Sequence, residues 1–357
     1  MPVTVVVGAQ YGGEGKGKIV AHLALRDKPE FVVRCGGPNS GHTVNINNET
    51  YKLRTLPAGF VNASSRLLLP AGSLINLGIL EQEIEISGID RQRVGIDRNA
   101  AILTDEDADL EARQGLRQSI GSTSSGTGSG VIKRIARNGS IKLAQDIEEA
   151  KPYITDVAGE INNGIDKGES CIIEGTQGFG LSLYHTDCYP FATSRDTTAS
   201  AFLSEVGVSP LKVTSIIMAV RTFPIRVEGN SGPLLNEINW KEVQRLSGYP
   251  YKISELTTVT GRLRRIGIFD LNLVKRAAII NHPKEIAIHG VDYIDFVNKG
   301  IRNYDQLTDK AKSFIVLLEN ELETPVKFIG TGMSQHDIID KSISVNISEY
   351  LTCIAEK

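Results

Sequence analysis

Three glycine-rich stretches each follow a short apolar run, where glycine lets backbone N–H groups close around phosphate oxygens. The first, Gly8-Ala-Gln-Tyr-Gly-Gly-Glu-Gly-Lys-Gly-Lys18, comes directly after Val3–Val7 and opens a helical pattern, whose N-terminus adds a favourable dipole. Counted from Gly12 it fits G-x-x-x-x-G-K up to Lys18, but Ile19 stands where a P-loop places the Ser or Thr that holds Mg2+. A glycine turn with two solvated lysines is the plain alternative, and the place between strand and helix weighs against it. The second stretch, Arg34-Cys-Gly-Gly-Pro-Asn-Ser-Gly-His-Thr43, sets Asn39 and His42 among small residues. An imidazole there suits proton donation to an oxygen that gains charge, although a lone loop histidine is more often a surface or capping residue. In the third, Glu174-Gly-Thr-Gln-Gly-Phe-Gly180, Gln177 offers donor and acceptor together, which suits a nucleobase edge. A fourth segment, Thr257-Thr-Val-Thr-Gly-Arg-Leu-Arg-Arg265, combines hydroxyls with three guanidinium groups. That composition fits bidentate capture of carboxylate or phosphate better than a solvated basic face.

These loops need elements to aim them. Apolar, β-branched runs at Val3–Val7, Phe31–Val33, Leu67–Leu69, Cys171–Ile173, Val213–Val220, Glu285–Ile288 and Val326–Ile329 read as buried strands. Helical spacing lies between them at Gly17–Leu25, Ile75–Ile86, Ala144–Asn163 and Leu271–Ile280. The alternation predicts an α/β fold, a mainly parallel central sheet flanked by helices, with ligands bound beyond the carboxyl ends of the strands. No repeat or long linker divides the chain, so residues 1–357 are expected to form a single domain. The Gly/Ser-rich segment 121–130 reads by composition as a flexible connector.

Composition removes other classes. The 357 residues are 41% hydrophobic and 23% charged with a net charge of -3, an ordinary globular balance that offers nucleic acid no basic face. No apolar run is long enough for a bilayer, and the opening MPVTVVVGAQ lacks the features of a secretory signal, so a cytoplasmic protein with no membrane role is expected. Cys35, Cys171, Cys188 and Cys353 are scattered without a C-x-x-C pair and read as ordinary thiols.

Taken in order, GAQYGGEGKGK, GGPNSGHT, EGTQGFGLSLYHTDCYPFATS and TVTGRLRRIGIFD resemble the signature segments of the adenylosuccinate synthetase family, over nearly the whole chain. The resemblance implies a P-loop-related fold and a ligase. In that reaction a purine O6 takes the γ-phosphoryl group of a nucleoside triphosphate, and the α-amino group of L-aspartate then displaces phosphate from C6. It assigns Gly12, Gly13, Glu14, Gly15, Lys16, Gly17, Gly41, His42, Thr43, Arg264, Asp292 and Gly332 to the triphosphate, with Mg2+ near Gly13 and the Gly41 carbonyl. His42 would be the acid, with Gln177 and the Gly13 position beside it in the catalytic set. Asn39, Ser122, Thr123, Arg137, Gln177, Thr193 and Arg262 would face the purine monophosphate, Arg137 reaching it across a homodimer interface. Val259, Thr260, Gly261 and Arg262 would take aspartate.

The chain also departs from the family pattern. The usual loop reads G-D-E-G-K-G-K, its aspartate acting as base toward purine N1; here that residue is Gly13. Loss of charge and volume at the N1 and C2 edge leaves room for a 2-amino group, and so for guanine. Together with the short chain, this resembles the viral branch that makes 2-amino-2'-deoxyadenylosuccinate from dGMP and aspartate with ATP or dATP, a step toward diaminopurine deoxynucleotides; the host cytoplasm would be its compartment. The family's guanine-reading T-K-L-D is His289-Gly-Val-Asp292, in which Gly290 would relieve crowding around a different base, and the family arginine of the Gly/Ser segment is Ser125. The proton acceptor stays open, a water among the choices. An ordinary enzyme using IMP and GTP, and a nucleotide-binding protein without catalysis, remain as alternatives.

Overall fold

Val3–Gly8 reads VTVVVG and is almost wholly buried, as a strand covered on both faces must be. In the computed structural model, which describes residues 3–46, 49–258 and 261–342, it lies inside a ten-stranded sheet. In chain order the strands are β1 (Val3–Gly8), β2 (Phe31–Arg34), β3 (Arg66–Leu69), β4 (Val94–Asp97), β5 (Ile154–Thr155), β6 (Cys171–Glu174), β7 (Val213–Arg221), β8 (Glu285–His289), β9 (Val326–Gly330) and β10 (Ile338–Asp340). Their spatial order is β5-β4-β3-β2-β6-β1-β7-β8-β9-β10. Every neighbouring pair is parallel except β9 with β10. All seven expected strands are present.

Helices α1 (Lys16–Asp27), α2 (Leu77–Ser87), α3 (Asp105–Arg113), α4 (Thr127–Ala136), α5 (Val157–Asp166), α6 (Ala199–Val206), α7 (Trp240–Ser247), α8 (Leu271–Asn281) and α9 (Asp309–Leu322) accompany the sheet. Side chains alternate across a strand, so β1 serves two cores. Val3, Val5 and Val7 pack with Ile161, Phe202, Val274 and Leu318 of α5, α6, α8 and α9. Val6 packs with Ile19, Leu23 and Leu80 of α1 and α2.

The expected helix over Ala144–Asn163 is a correction. Pro152 sits inside a 3-10 run, Glu148–Tyr153, and Ile154–Thr155 pairs with β4. Only from Val157 does the chain turn α-helical, started by Asp156, whose carboxylate accepts from Gly159 N at 3.0 Å. The Gly/Ser segment 121–130 divides likewise: 121–126 is a loop, and Thr127–Gly130 begins α4.

The loop between β9 and β10, with β10 itself, holds α1 in place. Lys18 Nζ donates to the carbonyls of Gly332 (2.9 Å) and Asp337 (2.7 Å), and Gln335 Nε2 donates to Lys18 O at 3.0 Å. One turn on, His22 Nε2 and Arg26 Nη1 meet Asp340 of β10 at 2.8 and 2.7 Å.

Candidate active site

Because the central strands are parallel, their carboxyl ends point one way. Arg34, Glu174, Arg221 and His289, the last residues of β2, β6, β7 and β8, all line one cavity of about 410 Å³. It lies where such sheets bind ligands. Around it gather Gly12, Gly13, Gly15, Lys16, Gly17, Gly41, His42, Thr43, Arg264, Asp292 and Gly332, eleven of the twelve residues expected on the triphosphate side. A second cavity of about 180 Å³ shares Tyr11, Asn39, Thr123 and Gln177 with the first and adds Ser122 and Thr193, so five of the seven residues expected at the monophosphate meet there.

Glu14, the twelfth, lies under the phosphate loop instead of facing the cavity. Its carboxylate is fully buried and accepts from the N–H groups of Gln10 (3.0 Å) and Gly12 (2.8 Å) and from Lys16 Nζ (2.8 Å). It therefore sets the loop's curvature. Lys16 also donates to the Gln177 carbonyl, tying the first glycine loop to the third. Gln177 has a left-handed backbone, φ 59°, and a Cβ on Gly178 would strike Glu14 and the backbone of Gln10 and Gly12. That close approach explains the glycine.

Lys18 is 9% exposed, and burial pulls its ammonium down to about 8 against the opposing pull of Asp337 and Asp292. A lysine with a lower pKa folded than unfolded penalises folding below the folded value; the penalty lifts as pH rises from there toward the unfolded ~10.4. At most it is on the order of 3 kcal/mol. We expect wild type to gain melting temperature relative to Lys18→Met between about pH 7.5 and pH 10, while its triphosphate affinity weakens over the same interval. A difference that stays flat with pH would count against the lowered value.

His42 begins the hairpin formed by His42–Ile46 and Glu49–Leu53 and packs against Gly17, where a Cβ would lie 3.0 Å from its own. Arg34 fixes the loop before it, donating to Ser40 O at 3.1 Å and to Glu174 Oε1 at 2.8 Å. Glu174 Oε2 accepts from Ala58 N at 2.7 Å. His42 Nδ1 lies 3.3 Å from Glu174 Oε1, close enough to feel its charge but not aligned as a hydrogen bond, and neither ring nitrogen makes an aligned hydrogen bond, although the Leu56 backbone lies close enough to favour the charged ring. Burial first, then the charges of Arg34 and Lys16, hold this imidazole well below its usual pKa. Burial likewise pushes the Glu174 carboxyl up, against Arg34. The result is a neutral ring with unused hydrogen-bonding capacity on the cavity wall.

Gly13 has φ 73°, and a Cβ there would collide with Arg264 Nη1 and approach Ile225 Cδ1 to 2.8 Å. The position is therefore not simply vacated: a guanidinium end stands beside it. Gly290 also differs from expectation. Its φ is 80° and a Cβ would meet Thr222 Oγ1 at 2.8 Å, so backbone geometry accounts for this glycine. Asp292, 6% exposed, accepts from the Tyr249 hydroxyl.

Other expected residues are not brought to the cavities. Arg262 lines neither; its backbone closes the loop through Thr257 N to Arg262 O (2.8 Å) and Arg262 N to Thr257 Oγ1 (2.9 Å). Gly261, with φ 63°, is exposed, and Val259 and Thr260 lie outside the described residues. Arg137 is exposed at the end of α4 and lines neither cavity. Sequence reasoning passed over Arg34, Arg221 and His289 as site residues, and also Tyr11 with Arg226, whose guanidinium lies 4.3 Å from the Tyr11 ring centroid. For three of these the signal was present: a charged or imidazole side chain ends an otherwise apolar strand in FVVR, VTSIIMAVR and EIAIH.

A glycine loop running into a helix N-terminus lines the larger cavity, and a second cavity shares residues with it, an arrangement suited to phosphorylated ligands. The family model for adenylosuccinate synthetase matches residues 5–145 and 140–299, and the chain belongs to that family of carbon–nitrogen ligases. It is 42% identical over 345 residues to adenylosuccinate synthetase from Thermococcus onnurineus, spanning 96% of this chain and 99% of that protein. Against the same enzyme from Archaeoglobus fulgidus it is 43% identical over 345 residues, spanning 95% and 98%. Two solved structures share the fold. The fully ligated adenylosuccinate synthetase from Plasmodium falciparum superposes with a TM-score of 0.85 at 22% identity, over 96% of this chain and 100% of that one. The cyanophage S-2L succinoaminodeoxyadenylate synthetase (PurZ), bound to dGMP and to dATP as an energy donor, gives 0.80 at 24% identity over 99% of both chains. Among the described residues no helix is long and apolar enough to cross a membrane.

Proposed function

We propose that this ligase joins L-aspartate to C6 of dGMP with ATP or dATP, giving 2-amino-2'-deoxyadenylosuccinate through a 6-phosphoryl intermediate. The observation that carries the reading is Gly13 beside Arg264, where the family pattern has a carboxylate base. A guanidinium favours the anion left when a purine N1 proton departs, so a water can accept that proton without a carboxylate in place. His42, neutral and with no aligned hydrogen bond at either ring nitrogen, would then donate to the oxygen that receives the γ-phosphoryl group. Thr123, Ser122, Asn39 and Thr193 would seat the monophosphate, and Arg262 with residues 259–261 would close over aspartate.

Adenine as the donor base is supported by Gly290, which stands where the family's guanine-reading segment has lysine; Asp292, whose Oδ2 accepts from Tyr249, keeps acceptor capacity for either base. Mg2+ fits as a companion of the triphosphate. No group of three His, Cys, Asp or Glu side chains converges among the described residues, and the Gly13 carbonyl accepts from Arg221 Nη1 at 3.2 Å. The Gly41 carbonyl with phosphate oxygens would hold the ion, which when bound neutralises charge on the phosphates. Arg137, exposed at the end of α4, would serve the site of a second copy in a homodimer.

A second reading, IMP with GTP, is favoured by the names of the archaeal relatives. Aspartate-dependent phosphate release decides, with dGMP, GMP, IMP and dIMP crossed against ATP, dATP and GTP and products identified by mass. Turnover confined to dGMP with an adenine triphosphate supports the proposal, and preference for IMP with GTP replaces it. In Gly13→Asp the new carboxylate would pair with Arg264 and crowd the C2 edge. We expect dGMP turnover to fall at least about 10-fold while use of IMP rises; undiminished dGMP turnover would defeat the role given to Gly13.

A further inference from the structure

His289 ends β8 inside the crevice, and neither the fold nor the chemistry above gives it a task. The residue is 8% exposed, its side chain lines the larger cavity, and Nε2 is buried with no hydrogen-bond partner. A polar atom left this way is costly, and ligand contacts are one way to satisfy it. The ring's position says which part of a ligand it faces. A Cβ on Gly15 would fall 2.7 Å from Cδ2 and 2.9 Å from Nε2, and Gly15 is the N-cap residue of α1, with φ 86°. On its other side Nδ1 lies against Gly330. Two glycines thus hold the imidazole flat beside the first turn of the helix that follows the phosphate loop. Both positions are ones where a Cβ would push the ring away.

The charged groups facing the ring are Lys18, Arg221 and Lys16, and with burial they keep it neutral. A neutral imidazole adds a directed N–H among cations without adding to their mutual repulsion. We propose that His289 is a triphosphate-binding residue, donating Nε2–H to a non-bridging phosphate oxygen held at the N-terminus of α1. The inference rests on the reading of the larger cavity as the triphosphate site.

The test compares wild type, His289→Leu and His289→Gln by calorimetry, with the β,γ-imido analogue of ATP plus Mg2+ as one titrant and the purine monophosphate substrate as another. Loss of a hydrogen bond to a charged group predicts about 10- to 100-fold weaker binding of the analogue by the Leu variant. Gln keeps a donor and recovers part of that loss. Monophosphate affinity and the KM for aspartate stay within about twofold, a split that a merely structural role would not produce. Analogue affinity unchanged in the Leu variant overturns the assignment of His289 alone. Parallel weakening of both ligands in both variants, with a lowered melting temperature, overturns it in favour of a structural role. If wild type does not bind the analogue, the reading of the cavity falls and the assignment with it. Should the Leu variant not fold, the ratio of the two affinities in the Gln variant decides on the same terms.

Discussion

His42→Asn lowers kcat by about 10³-fold and leaves the affinity for triphosphate within a few-fold of wild type. The expectation follows from how the ring is held. It packs on Gly17, faces Glu174 at 3.3 Å, and has no aligned hydrogen bond at either ring nitrogen, so on the proposed reading its N–H turns to the substrate. Asparagine fits the same space and still donates, but its amide N–H is a weaker and differently placed donor to a developing oxyanion than the imidazole N–H. On the proposed reading triphosphate binding rests on the phosphate loop and its lysines, whose charges the substitution leaves in place. Single-turnover phosphate release, read beside binding of the imido analogue, separates the two effects. Activity above a tenth of wild type would remove His42 from the chemistry; loss of binding in step with rate would make it a packing residue of the Gly17 loop.

Lys16→Gln gives the second large effect. The ammonium is the link among the buried Glu14 carboxylate, the carbonyl of Gln177 and the cavity. Removing it withdraws the charge that meets the phosphates and leaves Glu14 paired only with the N–H groups of Gln10 and Gly12. We expect triphosphate affinity to fall at least about 100-fold and the protein to lose ~2 kcal/mol of stability, less than the cost of an entirely unpaired buried charge. Chemical denaturation and calorimetry measure the two quantities on one preparation. Unchanged affinity would show that Lys18 and the loop N–H groups suffice, with Lys16 holding the two loops together only.

The strands were the most legible part of the chain, since fully buried parallel strands leave uninterrupted Val, Ile and Leu in the sequence. β5 and β10, two and three residues long, leave no such trace, and β4 reads Val-Gly-Ile-Asp with a glycine inside it. Ala144–Asn163 misled because its apolar residues recur at helical spacing although Pro152 breaks the segment into a 3-10 run, a strand and a short helix. At the site, glycine loops announced themselves by composition. What composition could not convey was where the side chains went: that Glu14 turns beneath its loop, or that Arg264 ends beside Gly13. The second placement depends on contacts between residues far apart in the chain, as with Tyr249 and Asp292, whereas Glu14 is held by groups within four residues of it, in a turn that composition does not reveal.

The clamp that Gly332, Gln335, Asp337 and Asp340 place on α1 has a consequence for biosynthesis. The phosphate loop is made before the groups that seat its helix, which follow it by more than three hundred residues. Contacts of such long sequence separation close slowly and late. A nascent chain therefore carries its nucleotide loop unanchored until those three hundred residues have been made, and the site matures only as β10 and the loop before it dock.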